Sequence, residues 1–297
     1  MAGALSHING NSVLHVPRRP NPRQFPCRVF KVSMSCNQSY WASINSNIEA
    51  HLKRAIPIRE PLTVFEPMNG LTFAAPLSTA PTLCVAACEL VGGHRDVALP
   101  TASALWLMHS ASYTHEHLPL MHSSRPKSDV RHLYGPNMEL LIGDALIPFG
   151  FELLANSDDP ARNNSNRILR VMVEISRAIG SQGMIHKQYH QVESYQSNNT
   201  KSDHLEKIEQ HEGALYGCAA ACGAILGGGS EEEIEKMRRY GVNVGKVASG
   251  VERNDKEMKK LVEEMRASAT KELRGFNEAK VQAISNYFES NFMCAQV

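Results

Sequence analysis

Several absences bound what this chain can be. No apolar run reaches the roughly 18 residues of a helical membrane span,. No sign of charge dominates: 31 Lys and Arg stand against 30 Asp and Glu, a formal net charge of +1. That balance argues against nucleic acid as the main partner. Seven cysteines in 297 residues are too few for a disulfide scaffold,. The glycine run Gly227-Gly228-Gly229 has no strand before it and no Gly-Lys-Ser/Thr after it, so it reads as a turn between helices and not as a phosphate loop,. The first 48 residues contain no Asp or Glu, although they carry Arg18, Arg19, Arg23, Arg28 and Lys31. A basic, hydroxylated leader without an apolar segment is the pattern of an organelle transit peptide. Residues 1–33 are therefore assigned to a leader, with cleavage between 33 and 48, and residues 34–297 to one domain. Loss of the five leader charges would take the net charge from +1 to −4.

What is present is helical. Hydrophobic residues make up 42% of the chain, enough for one large core,. From Tyr40 to Arg54, Trp41, Ile44, Ile48 and Leu52 recur at helical spacing,. Pro57, Pro61 and Pro67 interrupt the chain as a connector,. Thr82 to Gly93 and Ala102 to Tyr113 predict buried helices, the first stopped by Gly92-Gly93 and the second by Pro119,. Leu141 to Glu152 predicts a third buried helix, and Ile168 to Ser181 an amphipathic one,. Asp158-Asp159 before Pro160 marks the start of an element, Ser194 to Asp203 reads as a polar loop, and Ser230 with Glu233 forms a capping box,.

The stretch on which the reading turns is His115-Glu116-His117-Leu118-Pro119-Leu120-Met121-His122, at the foot of the apolar helix. Imidazole suits zinc, and His115, His117 and His122 with Glu116 offer that reading. Against it, residues i and i+2 of a helix point apart. The plainer reading is a set of polar residues without a metal.

The stretch resembles the first aspartate-rich motif of trans-prenyltransferases such as geranylgeranyl diphosphate synthase, in which a histidine precedes two aspartates, Leu-Pro and a further aspartate. The resemblance places Glu116, His117 and His122 at the three aspartates. Magnesium demands hard oxygen ligands in near-octahedral geometry, so two imidazoles and one carboxylate serve it badly. The likeness continues through Thr82–Gly93 and Leu141–Glu152, and it implies four further departures. Leu77, Ser78 and Ala80 stand where the family has diphosphate-binding basic residues, and Glu212 where it has a lysine. After Met121, the segment Ser123–Asp129 is shorter than the family's acidic and Arg-Arg-Gly stretch. Glu252, Arg253 and Lys256 occupy the second aspartate-rich motif. Gln188 is kept at a position that lines the family's substrate cavity, and Asp144 reads as structural.

Cys84 with Cys88, and Cys218 with Cys222, lie four apart on helices and share a face, with alanines between them,. A four-cysteine zinc site, a redox pair and small buried hydrophobes all compete as readings. The run Gln38–Ile44 and the paired Cys-x-x-x-Cys pattern are similar to the small subunits of plant geranyl diphosphate synthases. That resemblance implies an all-α bundle of the isoprenoid-synthase type in the plastid stroma. It also implies a non-catalytic regulatory chain with no metal or cofactor of its own, whose four cysteines serve partner binding. The implied partner is a catalytic, magnesium-dependent geranylgeranyl diphosphate synthase-like large subunit, in a heterodimer or heterotetramer that makes C10 geranyl diphosphate. The alternatives are a subunit that raises C20 output and an independent zinc enzyme.

Overall fold

The computed structural model describes residues 36–118, 132–181, 183, 185, 201–250 and 256–285. The chain divides into Met1–Ser33, outside the described residues, and Met34–Val297. Among the described residues every regular element is helical. The helices are α1 Cys36–Ala55, α2 Leu62–Ala74, α3 Ala80–Leu90, α4 Arg95–His117, α5 Pro136–Ala155, α6 Ser165–Ile179, α7 Lys201–Gly227, α8 Glu231–Gly250, α9 Lys256–Glu272 and α10 Glu278–Ser285. Helices α3 and α4 form the centre. Helix α3 packs on α7, which lies along α8, while α4 packs on α5 and is crossed by α1.

Each predicted helix appears, starting earlier than expected, and two of them end sooner, at Leu90 and Ile179. The connector expected over Pro57, Pro61 and Pro67 is instead helical from Leu62, with Pro67 inside α2. Helix α4 starts at Arg95, so Pro100 lies inside it, where it removes the N–H that would bond the Asp96 carbonyl; the buried run that follows carries the helix through this lost bond,. Its residues from Thr101 to Met108 are all buried, and a fully buried leucine such as Leu105 or Leu107 contributes about 1.5–3 kcal/mol,. Helix α5 is not buried all round, contrary to the sequence reading: Leu141 is 62% exposed and Asp144 faces outward. The stretch read as a polar loop to Asp203 is already helical from Lys201. The capping box forms as expected, with the Ser230 N–H donating to Glu233 at 2.7 Å and the Glu233 N–H to Ser230 Oγ at 3.3 Å. Asp159 accepts from the Ala161 N–H at 3.0 Å and so caps the short 3-10 turn Pro160–Arg162.

One detail explains how α2 is fixed to α4. The Thr72 carbonyl would normally accept from residue 76, but Pro76 has no N–H to give,. Trp106 Nε1 and Ser110 Oγ each donate to that oxygen at 3.0 Å. Each such bond contributes about 0.5–1.5 kcal/mol net, and leaving the oxygen bare would cost more.

Candidate functional site

Helix α4 delivers its last turn to the site. Its foot lies beside α5 because His115 packs on Gly143, where any Cβ would overlap the imidazole. His115 Nε2 lies 3.3 Å from Asp144 Oδ1, but misaligned, so it makes an ion-pair distance without a hydrogen bond. Two residues on, His117 Nδ1 donates to the Tyr113 carbonyl at 2.7 Å, and its ring lies 4.1 Å from the Tyr113 ring. Glu116 accepts from Ser112 Oγ at 3.3 Å. His115 and His117 therefore turn to different neighbours, as residues two apart on a helix must. His122 lies outside the described residues.

This donor set does not fit magnesium. The described foot supplies one carboxylate and two imidazoles, and an octahedral oxygen site needs harder, more numerous oxygens,. Among the described residues, no group of three or more His, Cys, Asp or Glu side chains is arranged to hold a metal ion. The approach to α3 is likewise poor in charge. Leu77 is 70% exposed, Ala80 is buried, and Ser78 Oγ accepts from the Ala80 N–H at 3.3 Å. Glu252, Arg253 and Gln188 lie outside the described residues, as does the loop Ser123–Asp129. Lys256 opens α9 and Glu212 lies in α7.

The four cysteines are brought together, and they are inside the chain. Cys84, Cys88, Cys218 and Cys222 are all buried between α3 and α7, and the Sγ atoms of Cys218 and Cys222 are 3.8 Å apart. Burial pushes the Cys84 thiol well up and Cys88 up to about 12; for Cys222 the hydrogen bond with Cys218 is the main cause, with burial second. A nucleophilic or metal-binding cysteine needs the opposite shift. The thiols therefore present no surface of their own to a partner.

What the sequence reading missed is the other side of this seam. Gly223 and Gly227 of α7 stand opposite Cys84 and Cys88 of α3. A Cβ at Gly223 would overlap the Cys84 carbonyl oxygen, and one at Gly227 would lie 2.7 Å from the Cys88 oxygen. The spacing Gly223-x-x-x-Gly227, equal to that of the cysteines, is the signal that could have revealed it,.

A second grouping also went unread. Glu139, in the first turn of α5 and only 4% exposed, accepts from His132 Nδ1 at 2.5 Å and from the Tyr134 N–H at 3.3 Å. With His117 these residues border a cavity of about 310 Å³ between α2, the end of α4 and the start of α5.

The family model for polyprenyl synthetase matches residues 78–247. The chain is 49% identical over 259 residues to the chloroplastic heterodimeric geranylgeranyl pyrophosphate synthase small subunit 2 of Cannabis sativa, covering 84% of this chain and 90% of that one. The crystal structure of the geranyl diphosphate synthase small subunit from Antirrhinum majus superposes with a TM-score of 0.80 at 48% identity, over 86% of this chain and 100% of that one. A chain of the heterotetrameric geranyl pyrophosphate synthase of mint, solved as a deletion mutant in complex with ligands, superposes with a TM-score of 0.75 at 45% identity, over 84% and 99%.

Proposed function

From the premise that this chain belongs to the polyprenyl synthetase family, we propose that it is the non-catalytic regulatory small subunit of a heteromeric prenyl diphosphate synthase. Its partner is a catalytic geranylgeranyl diphosphate synthase-like large subunit, which supplies the magnesium site, and the complex is a heterodimer or heterotetramer in the plastid stroma. The small subunits similar to it are named chloroplastic and heterodimeric, which supports both the partner and the compartment.

The observation that carries the reading is the contrast at the foot of α4. The helix is in place, but its terminal side chains turn to their own helix, His117 to the Tyr113 carbonyl and Glu116 to Ser112. A scaffold of this kind, with one carboxylate where magnesium needs several oxygen ligands, is suited to shaping a neighbour's pocket. Docking shortens the space available to the growing chain in the partner, so that the C10 product leaves before further condensation. Helices α5 and α6 supply the exposed apolar side chains for docking, Leu141 on one and Leu169 and Val173 on the other. The cysteines act on docking indirectly, by setting how closely α3 and α7 approach.

Product analysis after co-expression with a catalytic subunit tests this. The expected result is a copurifying complex whose C10 share exceeds that of the catalytic subunit alone. Condensation of isopentenyl and dimethylallyl diphosphates by the homogeneous chain with magnesium would overturn the non-catalytic reading. A second reading, in which the complex mainly raises C20 output, is favoured by the names of the similar Cannabis sativa and Arabidopsis thaliana subunits. An unchanged product length with higher turnover would select it.

A further inference from the structure

We propose that the cavity between α2, the end of α4 and the start of α5 binds one small, uncharged, mainly apolar molecule of about ten carbons. The cavity holds about 310 Å³ and is bordered on the α2 side by Gly70, Leu71 and Ala74. An apolar cavity of ~150 Å³ takes up one benzene, so twice that space suits a guest of nearly twice as many carbons.

Several of the polar groups around the cavity are spent on the chain itself. Glu139 accepts from His132 Nδ1 at 2.5 Å and from the Tyr134 N–H at 3.3 Å. His117 Nδ1 donates to the Tyr113 carbonyl at 2.7 Å, and Thr114 Oγ1 to the Ser110 carbonyl at 2.8 Å. A guest that needed these groups would have to break a bond already made. An apolar guest asks for none of them and gains the burial of its own surface against Leu71, Ala74 and Leu133,.

Charge points the same way. None of the described residues that border the cavity is Lys or Arg, so a diphosphate or carboxylate finds no cation there,. The Glu139 carboxylate, 4% exposed, is already answered by His132 and so calls for no cationic guest. Leu77, Ser78 and Ala80, at the family's diphosphate positions, do not border this space.

The space is also pre-formed, as ligand sites mostly are. Tyr134 is seated against Gly70, where any Cβ would overlap its hydroxyl, and this holds the stretch before α5 against α2. Leu133 is 68% exposed and Ala74 is exposed too, so the border is open to an entering molecule. Exposed apolar side chains beside a hollow are characteristic of ligand grooves. The inference does not rest on the regulatory reading, because it uses no contact with a catalytic subunit.

Geraniol, an uncharged ten-carbon alcohol, is the probe. Isothermal titration calorimetry of the full chain with geraniol should show saturable binding of one equivalent. Ala74→Trp fills the border from an exposed position at the end of α2 and should weaken binding by about tenfold or more, with an unchanged circular dichroism spectrum,. Leu133→Ala should weaken it roughly fourfold, the loss of about one buried methylene. Geranyl diphosphate at the same concentration should not displace geraniol. No binding, or uptake that does not saturate, overturns the proposal. So does wild-type affinity in both variants, which would place geraniol elsewhere in the chain. Displacement by geranyl diphosphate overturns it as well, since the site would then take an anion. If Ala74→Trp fails to fold, Leu133→Ala decides alone, because that side chain is largely in solvent. Copurification with a catalytic subunit should be unchanged in both variants, so loss of geraniol binding and loss of docking are read separately.

Discussion

The α3–α7 seam and the foot of α4 belong to the same scaffold and are held by opposite means. At the seam the side chains are Cys, Ala and Gly, the backbones nearly touch, and nothing is exposed. At the foot the side chains are His and Glu, half-buried, each turned to a nearby polar atom. Close packing leaves no slack, because a methyl group at Gly223 has nowhere to go. A half-solvated helix end tolerates many polar side chains so long as each finds a partner or water. Two regions of one fold can thus differ in what they permit: the seam fixes helix separation, while the foot is free to change its chemistry.

The largest effect expected from breaking this contrast is at the cysteines. Cys84→Ser with Cys88→Ser buries two hydroxyls, and each costs about 1–3 kcal/mol if unpaired. The pair should lower unfolding stability by roughly 2–6 kcal/mol. The thiols are in the core of the chain, so the lesion strikes folding as well as docking, and a variant that stays fully folded while losing its partner is not expected. Denaturant titration decides this. Unchanged stability would mean that the hydroxyls find acceptors and that the seam is more tolerant than its packing indicates.

Gly223→Ala is the next largest. Its methyl would overlap the Cys84 carbonyl, so the helices must separate, and overpacking of this kind typically costs about 1–3 kcal/mol,. Gly135 serves as a control of another sort. A Cβ there meets nothing within 4 Å, but its φ of 81° penalises any side chain, so Gly135→Ala should cost strain without moving α3 from α7,. If Gly223→Ala unfolds at the wild-type denaturant concentration, the close approach is not a constraint.

Alkaline pH gives a graded version of the same test. The folded Cys88 thiol sits near 12, above an ordinary value of about 8.5,. The folded state therefore holds its proton where the unfolded state has lost it. The stability this gives is intact below about pH 8.5 and is lost as pH rises from there towards 12, at no more than about 1.4 kcal/mol per pH unit for the one thiol. Thiol labelling at pH 9 should accordingly track global unfolding. Rapid labelling of the native chain would show that the seam opens.

Much of this was legible in the amino-acid sequence, for reasons that differ between the two regions. The helices were readable because buried apolar periodicity is a local signal, and Ser230 with Glu233 announced its cap. The outward face of α5 was not, because Leu141 and Leu146 are the same residue type and only tertiary packing distinguishes an exposed leucine from a buried one. The cysteine spacing placed each pair on one helix face, but not whether that face met solvent or α7. That depended on glycines 223 and 227, more than 130 residues away from the first pair. The His132–Glu139 contact was hidden similarly, since seven residues and a helix start separate the two.

The smallest effect should come from the foot. Glu116→Gln keeps the shape and hydrogen-bonding capacity of the side chain and removes its charge. Glu116 lies half-buried at a helix end with a long bond to Ser112, so the expected change is within about 0.5 kcal/mol, as for most substitutions away from special packing,. Restoring aspartates should do equally little for chemistry. Glu116→Asp with His117→Asp supplies two hard oxygen ligands, yet Leu77, Ser78 and Ala80 still offer no cation for a diphosphate,. The isolated double variant should remain without measurable condensation of isopentenyl and dimethylallyl diphosphates. Turnover in that variant would show that the approach to α3 is dispensable and that the foot alone separates this chain from a catalyst.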